Sequence, residues 1–182
     1  MEELNGLRVA VVATDGFEEH ELTEPVKALR EAGADVDIVS MKVGPIQAFR
    51  HHDKSIKVDA TISLDKLDAQ EYDALMLPGG ALNADTIRME PKLQECIREM
   101  DAARKPIAAI CHAPWELASA GILDGRKLTS YYTIQDDLRN AGATWEDKSL
   151  VEDGNLVTSR KPDDLKDFIP AMLRLFRAGV HA

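Results

Sequence analysis

Sulfur is scarce in this 182-residue chain, whose only cysteines are Cys96 and Cys111. One sits in what reads as a helix face and the other at a strand end, so they make no disulfide framework. Basic charge is short as well: 22 Lys and Arg against 32 Asp and Glu leave a formal net charge of −10, which repels the phosphates of nucleic acid. No apolar run approaches the roughly 18 residues of a membrane span. The start, MEELNGLRVAVVA, has neither the basic residues nor the small-residue cleavage site of a signal peptide. The expectation is a cytoplasmic protein with no nucleic-acid or membrane partner. A GxGxxG loop is missing after the first apolar run, so neither a flavin nor a nicotinamide is supported, and no cofactor is expected. With no repeat, low-complexity tract or linker, residues 1–182 read as one domain.

What the chain does have is a run of apolar strands alternating with helices. LRVAVVA at 7–13, Val36 to Val39, DALML at 73–77 and IAAI at 107–110 are short and continuously apolar, as strands covered on both faces must be. Between them, Leu22, Val26 and Leu29 fall at helical spacing, with Pro25 marking a kink or a fresh start and Gly33 a stop. Pro91 to Ala103 is an amphipathic helix turning Leu93, Ile97 and Met100 inward. A hairpin or surface excursion occupies 44–62, and Asp153, Gly154 and Asn155 mark a second hairpin. Lys127 to Tyr132 reads as a strand, IQDDLRNAG as a helix, and Pro162 to Arg177 as the closing helix. This alternation predicts an α/β fold with a mostly parallel sheet between two helical layers, in which ligands bind beyond the carboxyl ends of the strands.

Three unusual features fall at such ends: the acidic run Glu18, Glu19 and Glu21, the Pro-Gly-Gly at 78–80, and Cys111 with His112. Cys111 stands between the IAAI strand and a helix begun by Pro114, where unpaired N–H groups favour a thiolate. A cysteine nucleophile also needs a base and oxyanion donors. His112 is the candidate base and acid, and the Gly80 and His112 N–H groups are the candidate donors. Gly80 has no Cβ to keep a substrate away. Glu18 is chosen as the carboxyl beside the sulfur, its own pKa raised by the neighbouring charge. Gly79, Tyr131 and His20 are further pocket candidates. Cys96 and Trp115 read as packing. His51, His52 and Asp53 read as surface residues, and no metal site is expected.

The segments AAICHAPWELASAGILDGRKLTSY, LMLPGG, DGFEEHEL and DDLRNAGATW together resemble the PfpI intracellular protease family, in the superfamily of ThiJ and the Parkinson-disease protein DJ-one. The resemblance runs from about Arg8 to Phe176. It implies a flavodoxin-like three-layer sandwich related to class I glutamine amidotransferases, and a homodimer or larger homo-oligomer. Residue by residue, it implies Cys111 as nucleophile, His112 as its neighbouring histidine, Glu18 as the carboxyl on the sulfur, and Gly80 with His112 as oxyanion donors. The family's triad is completed by a glutamate of the adjacent subunit. Here the matching acid is Asp85, one methylene shorter and preceded by a one-residue insertion. The implied activities are glyoxalase III-like or deglycase action on small carbonyls or their adducts, peptidase action, or redox sensing and chaperoning through oxidation of Cys111.

Overall fold

The computed structural model describes residues 3–180. The chain begins with β1 (Arg8–Val12), β2 (Phe17–Glu18), α1 (Glu19–Glu31), β3 (Asp35–Ser40), β4 (Gly44–Arg50), β5 (Asp53–Ala60) and β6 (Ile62–Ser63). It continues through β7 (Ala74–Leu77), α2 (Ala81–Ile87), α3 (Pro91–Ala102), β8 (Ile107–Ile110), α4 (Pro114–Ala120) and β9 (Lys127–Leu128). The last elements are α5 (Gln135–Asn140), β10 (Thr144–Trp145), β11 (Val151–Asp153), β12 (Leu156–Ser159) and α6 (Leu165–Val180).

Seven strands form the central sheet in the order β11-β12-β8-β7-β1-β3-β6, and every pairing is parallel except β11 with β12. Side chains alternate across it as the pleat requires. Val9, Val11, Ala108 and Ile110 face one core with Leu22 and Leu29 of α1 and Phe168, Met172 and Phe176 of α6. Ala10, Val12, Ile107 and Ala109 face the other with Leu93, Ile97 and Met100 of α3, Leu117 of α4 and Leu138 of α5. The molecule is therefore an α/β sandwich of three layers.

Several local expectations are revised. α1 runs unbroken through Pro25, because packing of Leu22, Val26 and Leu29 on the sheet outweighs the one backbone bond a proline removes. The strand expected at 127–132 shortens to Lys127–Leu128, since Tyr132–Ile134 turns into a 3-10 helix. The segment after Gly80, which carries Asp85, is helix α2. The hairpin expected within 44–62 is present as the antiparallel pair β4 and β5, which forms a separate three-stranded sheet with β2.

One acid is buried without a partner. Glu116 on α4 has no exposed surface, and neither of its carboxyl oxygens has a hydrogen-bond partner among the described residues. Burial pushes its pKa well up, and the charge of Arg88 only partly opposes this. A carboxyl whose folded pKa is raised favours the fold below its unfolded value of about 4.3 and loses that contribution as pH climbs toward the folded value. Glu116→Met, close in volume, is expected to stabilise the protein at pH 7.5 by about 2 kcal/mol and far less at pH 4. Urea midpoints at the two pH values check this, and an equal change at both would rule out the titration.

Candidate active site

Strands β12, β8, β7 and β1 are adjacent and parallel, so the segments leaving their carboxyl ends meet at one edge of the sheet. Cys111 follows β8 directly with φ 66°, a left-handed conformation that non-glycine residues seldom adopt. The turn is held open on both sides: Cys111 N–H donates to the Ser159 carbonyl (3.0 Å), and Tyr131 N–H donates to that of Cys111 (2.8 Å). α4 then starts at Pro114, and Gly121 ends it in the left-handed conformation. A strained cysteine held in this way signals a site.

Gly79 and Gly80 bring the β7 turn against it. A Cβ on Gly79 would lie 2.6 Å from the Cys111 Cβ and 2.5 Å from Glu21 Oε1. The Gly80 and His112 N–H groups are directed at the sulfur, where they favour the thiolate. Asn83, buried on α2, fixes these turns: its Oδ1 accepts from Thr14 N–H (2.7 Å), and its Nδ2 donates to the Pro78 and Gly79 carbonyls (3.2 and 3.0 Å).

The carboxyl beside the sulfur is Glu21, not Glu18. Gly79 N–H donates to Glu21 Oε1 at 3.1 Å, and Glu21 acts on the Cys111 thiol more strongly than Glu18 does. The helix starts at Glu19, and this register turns Glu21 inward with no exposed surface. Burial, and then the charge of Glu18, pushes the Glu21 carboxyl well up, which favours its protonated form. Glu18 lies on β2 instead, with its carboxylate accepting from His51 N–H (3.1 and 3.4 Å).

The thiol was expected to be lowered. Burial, followed by Glu21, holds it well above its ordinary value despite the Gly80 and His112 donors. His112 Nδ1 lies 3.2 Å from the sulfur. The ring stacks on Tyr131 (centroids 4.8 Å) and meets the edge of Trp115 (5.3 Å). Burial pushes its pKa down to about 4, which leaves a neutral imidazole at physiological pH.

Glu21, Gly80, Cys111 and His112 line a cavity of about 650 Å³, while Gly79, also a pocket candidate, lies outside its lining. Its lining also takes in Phe49, His51 and His52 of the β4–β5 hairpin, Leu82 of α2, Tyr131, and Lys161, Pro162 and Asp163 before α6. Sequence reasoning set His51 and His52 aside as surface residues; they are exposed, yet they stand on the rim. His20 was expected near the pocket but points elsewhere, pairing with Glu19 (3.5 Å) and Glu24 (3.8 Å) outside the lining. Asp85 is exposed on α2 and also outside the lining. Among the described residues, no carboxylate hydrogen-bonds the His112 ring, and no group of three or more acidic, histidine or cysteine side chains is placed to hold a metal.

The profile of the DJ-1/PfpI family matches residues 7–175. The chain belongs to that family. Relatives over most of this DJ-1/PfpI chain include Deglycase PfpI of Pyrococcus furiosus, 41% identical over 171 residues, which are 94% of this chain and all of the relative. The putative cysteine protease YraA of Bacillus subtilis is 39% identical over 170 residues, covering 93% and 98% of the two chains. Among solved structures, a two-domain protein of Anabaena variabilis with DJ-1/ThiJ/PfpI-like and ferritin-like domains superposes with a TM-score of 0.87 at 32% identity. That match takes in 92% of this chain and 47% of the other. No helix among the described residues is long and apolar enough to cross a membrane.

Proposed function

We propose that this DJ-1/PfpI protein is a cysteine-dependent enzyme that acts on small reactive carbonyls or their adducts, in the manner of a deglycase or a glyoxalase III. The observation that carries the reading is the Cys111 turn, which sets a strained sulfur 3.2 Å from a neutral imidazole and in front of two N–H donors at the floor of a cavity. Relatives named deglycase support it. In the reaction, His112 takes the thiol proton and the sulfur adds to the aldehyde carbon of methylglyoxal. The resulting oxygen is held by the Gly80 and His112 N–H groups. Moving the C1 proton to C2 through an enediol gives a lactoyl thioester, and water releases lactate. Glu21, protonated beside the sulfur, supplies the proton to the ketone oxygen. The oxidation of C1 and reduction of C2 balance within the molecule, so no external redox partner is required.

The test is enzymatic assay of lactate from methylglyoxal, and from its hemithioacetal with N-acetylcysteine, in the presence of purified protein. Production well above buffer is the expected result, and none from either would end the reading. A peptidase reading needs an acid for His112, and in a homo-oligomer Asp85 of a second subunit is the candidate. We propose such an assembly, with the action located in the cytoplasm. If Asp85 serves a peptidase, Asp85→Asn abolishes cleavage of a fluorogenic peptide; if only the carbonyl chemistry operates, lactate release outlasts that change.

A further inference from the structure

Among the described residues the His112 ring makes one polar contact, from Nδ1 to the sulfur at 3.2 Å, and no carboxylate orients it. The torsion that turns an imidazole about its Cβ–Cγ bond has a broad well, so a lone contact of this length does not fix the ring plane. Two other aromatic rings do. Tyr131 lies along one face, with centroids 4.8 Å and planes 26° apart, and Trp115 meets the ring steeply, at 5.3 Å and 63°. The stack resists turning of the plane, and the steep contact resists sliding along Tyr131. Trp115 reads as packing from its spacing, and its body does rest against the core. Packing does not account for its anchors. Its Nε1–H donates to Asp137 Oδ2 on α5 at 2.8 Å. The Arg88 guanidinium at the end of α2 lies 5.0 Å from the indole, while Arg88 Nε donates to Ser119 Oγ on α4 at 2.9 Å. A half-buried indole tied to two neighbouring helices keeps its place. Trp115 is also outside the cavity lining, so it does not touch what the cavity takes in.

We propose that Trp115 is the positioning residue of His112, with Asp137 and Arg88 as its anchors, and that this aromatic clamp does the orienting that a carboxylate does in a Cys-His-acid triad. The proposal rests on the reading of His112 as the base for Cys111. A triad carboxylate also stabilises the imidazolium that forms. The clamp leaves the ring neutral and sets only its direction, so transfer of the thiol proton depends on alignment.

Alkylation of Cys111 by iodoacetamide, followed by mass spectrometry, reads the Cys111–His112 pair without any carbonyl substrate. The sulfur displaces iodide from carbon while the thiol proton passes to His112 and on to water. Trp115→Leu, which removes the ring, is expected to slow this step about tenfold or more. Trp115→Phe and Asp137→Ala each keep a ring but lose the anchor on α5, and about threefold slowing is expected of both. In a His112→Ala background Trp115→Leu is expected to change the rate less than about twofold, because a residue that acts through His112 has nothing left to orient. An equal effect of Trp115→Leu in the two backgrounds, equal rates for Trp115→Leu and Trp115→Phe, or a wild-type rate for Asp137→Ala would each overturn the clamp. Should Trp115→Leu fail to fold, Asp137→Ala decides, since Asp137 is exposed and its loss leaves the core intact: slowing that vanishes in the His112→Ala background supports the clamp, and slowing that persists there overturns it. In lactate release the same variants are expected to lower kcat and leave KM unchanged. Absence of lactate release by the wild type, with the alkylation pattern intact, would instead remove the proposed reaction and leave the clamp standing.

Discussion

Cys111→Ser is expected to reduce lactate release from methylglyoxal to the buffer background, a loss of about a thousandfold or more. The size follows from chemistry and position together. A serine hydroxyl is a far poorer nucleophile at neutral pH, and nothing else in the cavity replaces it, because Cys96 is buried elsewhere and burial holds its thiol up at about 12. The substitution leaves the fold in place, since serine can occupy the same left-handed turn and offer the same backbone N–H to Ser159. Unfolding midpoints of the two proteins should therefore agree closely while activity differs. The wild-type pH profile adds a second reading. With the His112 pKa near 4 and the thiol above its ordinary value, kcat/KM should rise toward alkaline pH with no limb near 6.5. Full activity of Cys111→Ser would transfer the chemistry to another residue.

Gly80→Ala is expected to remove most of the activity and to cost about 3 kcal/mol of stability, combining left-handed strain with overpacking. Gly80 has φ 93°, and an added Cβ would strike the Gly16 carbonyl oxygen, Glu18 N at 2.7 Å and Phe17 Cα at 2.8 Å. All three are backbone atoms, so no side-chain rotation relieves the contact. The β1 and β7 turns must separate, which carries the Gly80 N–H away from the sulfur and costs about a hundredfold or more in rate. The melting temperature should fall by about 6–12 °C. Gly125→Ala is the control: it has a similar φ of 76° but open space around the added methyl, so it measures strain alone, about 1 kcal/mol. If the two variants melt together, the close approach at Gly80 is not what the turn depends on.

The sheet could be read from the sequence because its strands are buried on both faces and their apolar runs are unmistakable; IAAI and DALML differ from the observed β8 and β7 by a residue at most. The turn at Cys111 was legible for the same reason, as a strand that stops three residues short of a helix signal at Pro114. The acid beside it was not. In the run Glu18, Glu19, Glu21, the inward residue depends on where a two-residue strand yields to α1, and no periodicity extends over two residues. Asn83 was hidden inside a seven-residue helix too short to announce itself. Phe49, His51 and Lys161 lie far from Cys111 in the chain, and only the folded topology brings them to one cavity.

The hairpin of β4 and β5 gives the architecture a division of labour. It belongs to a small sheet of its own, joined to the main body through β2 and through Ile46, Ala48 and Ala60 in the core shared with α1, while the sulfur, its donors and Glu21 are fixed by the large sheet and α1. Substrate choice can therefore drift at the exposed tip, His51 to Lys54, while Ile46, Ala48 and Ala60 stay in the core and Gln47 stays bonded to the turn at Asp15 and Gly16. Among descendants of one ancestral chain, the tip of this hairpin is where new substrate preferences would arise, and an exchange of residues 51–54 between relatives is a natural unit for testing it.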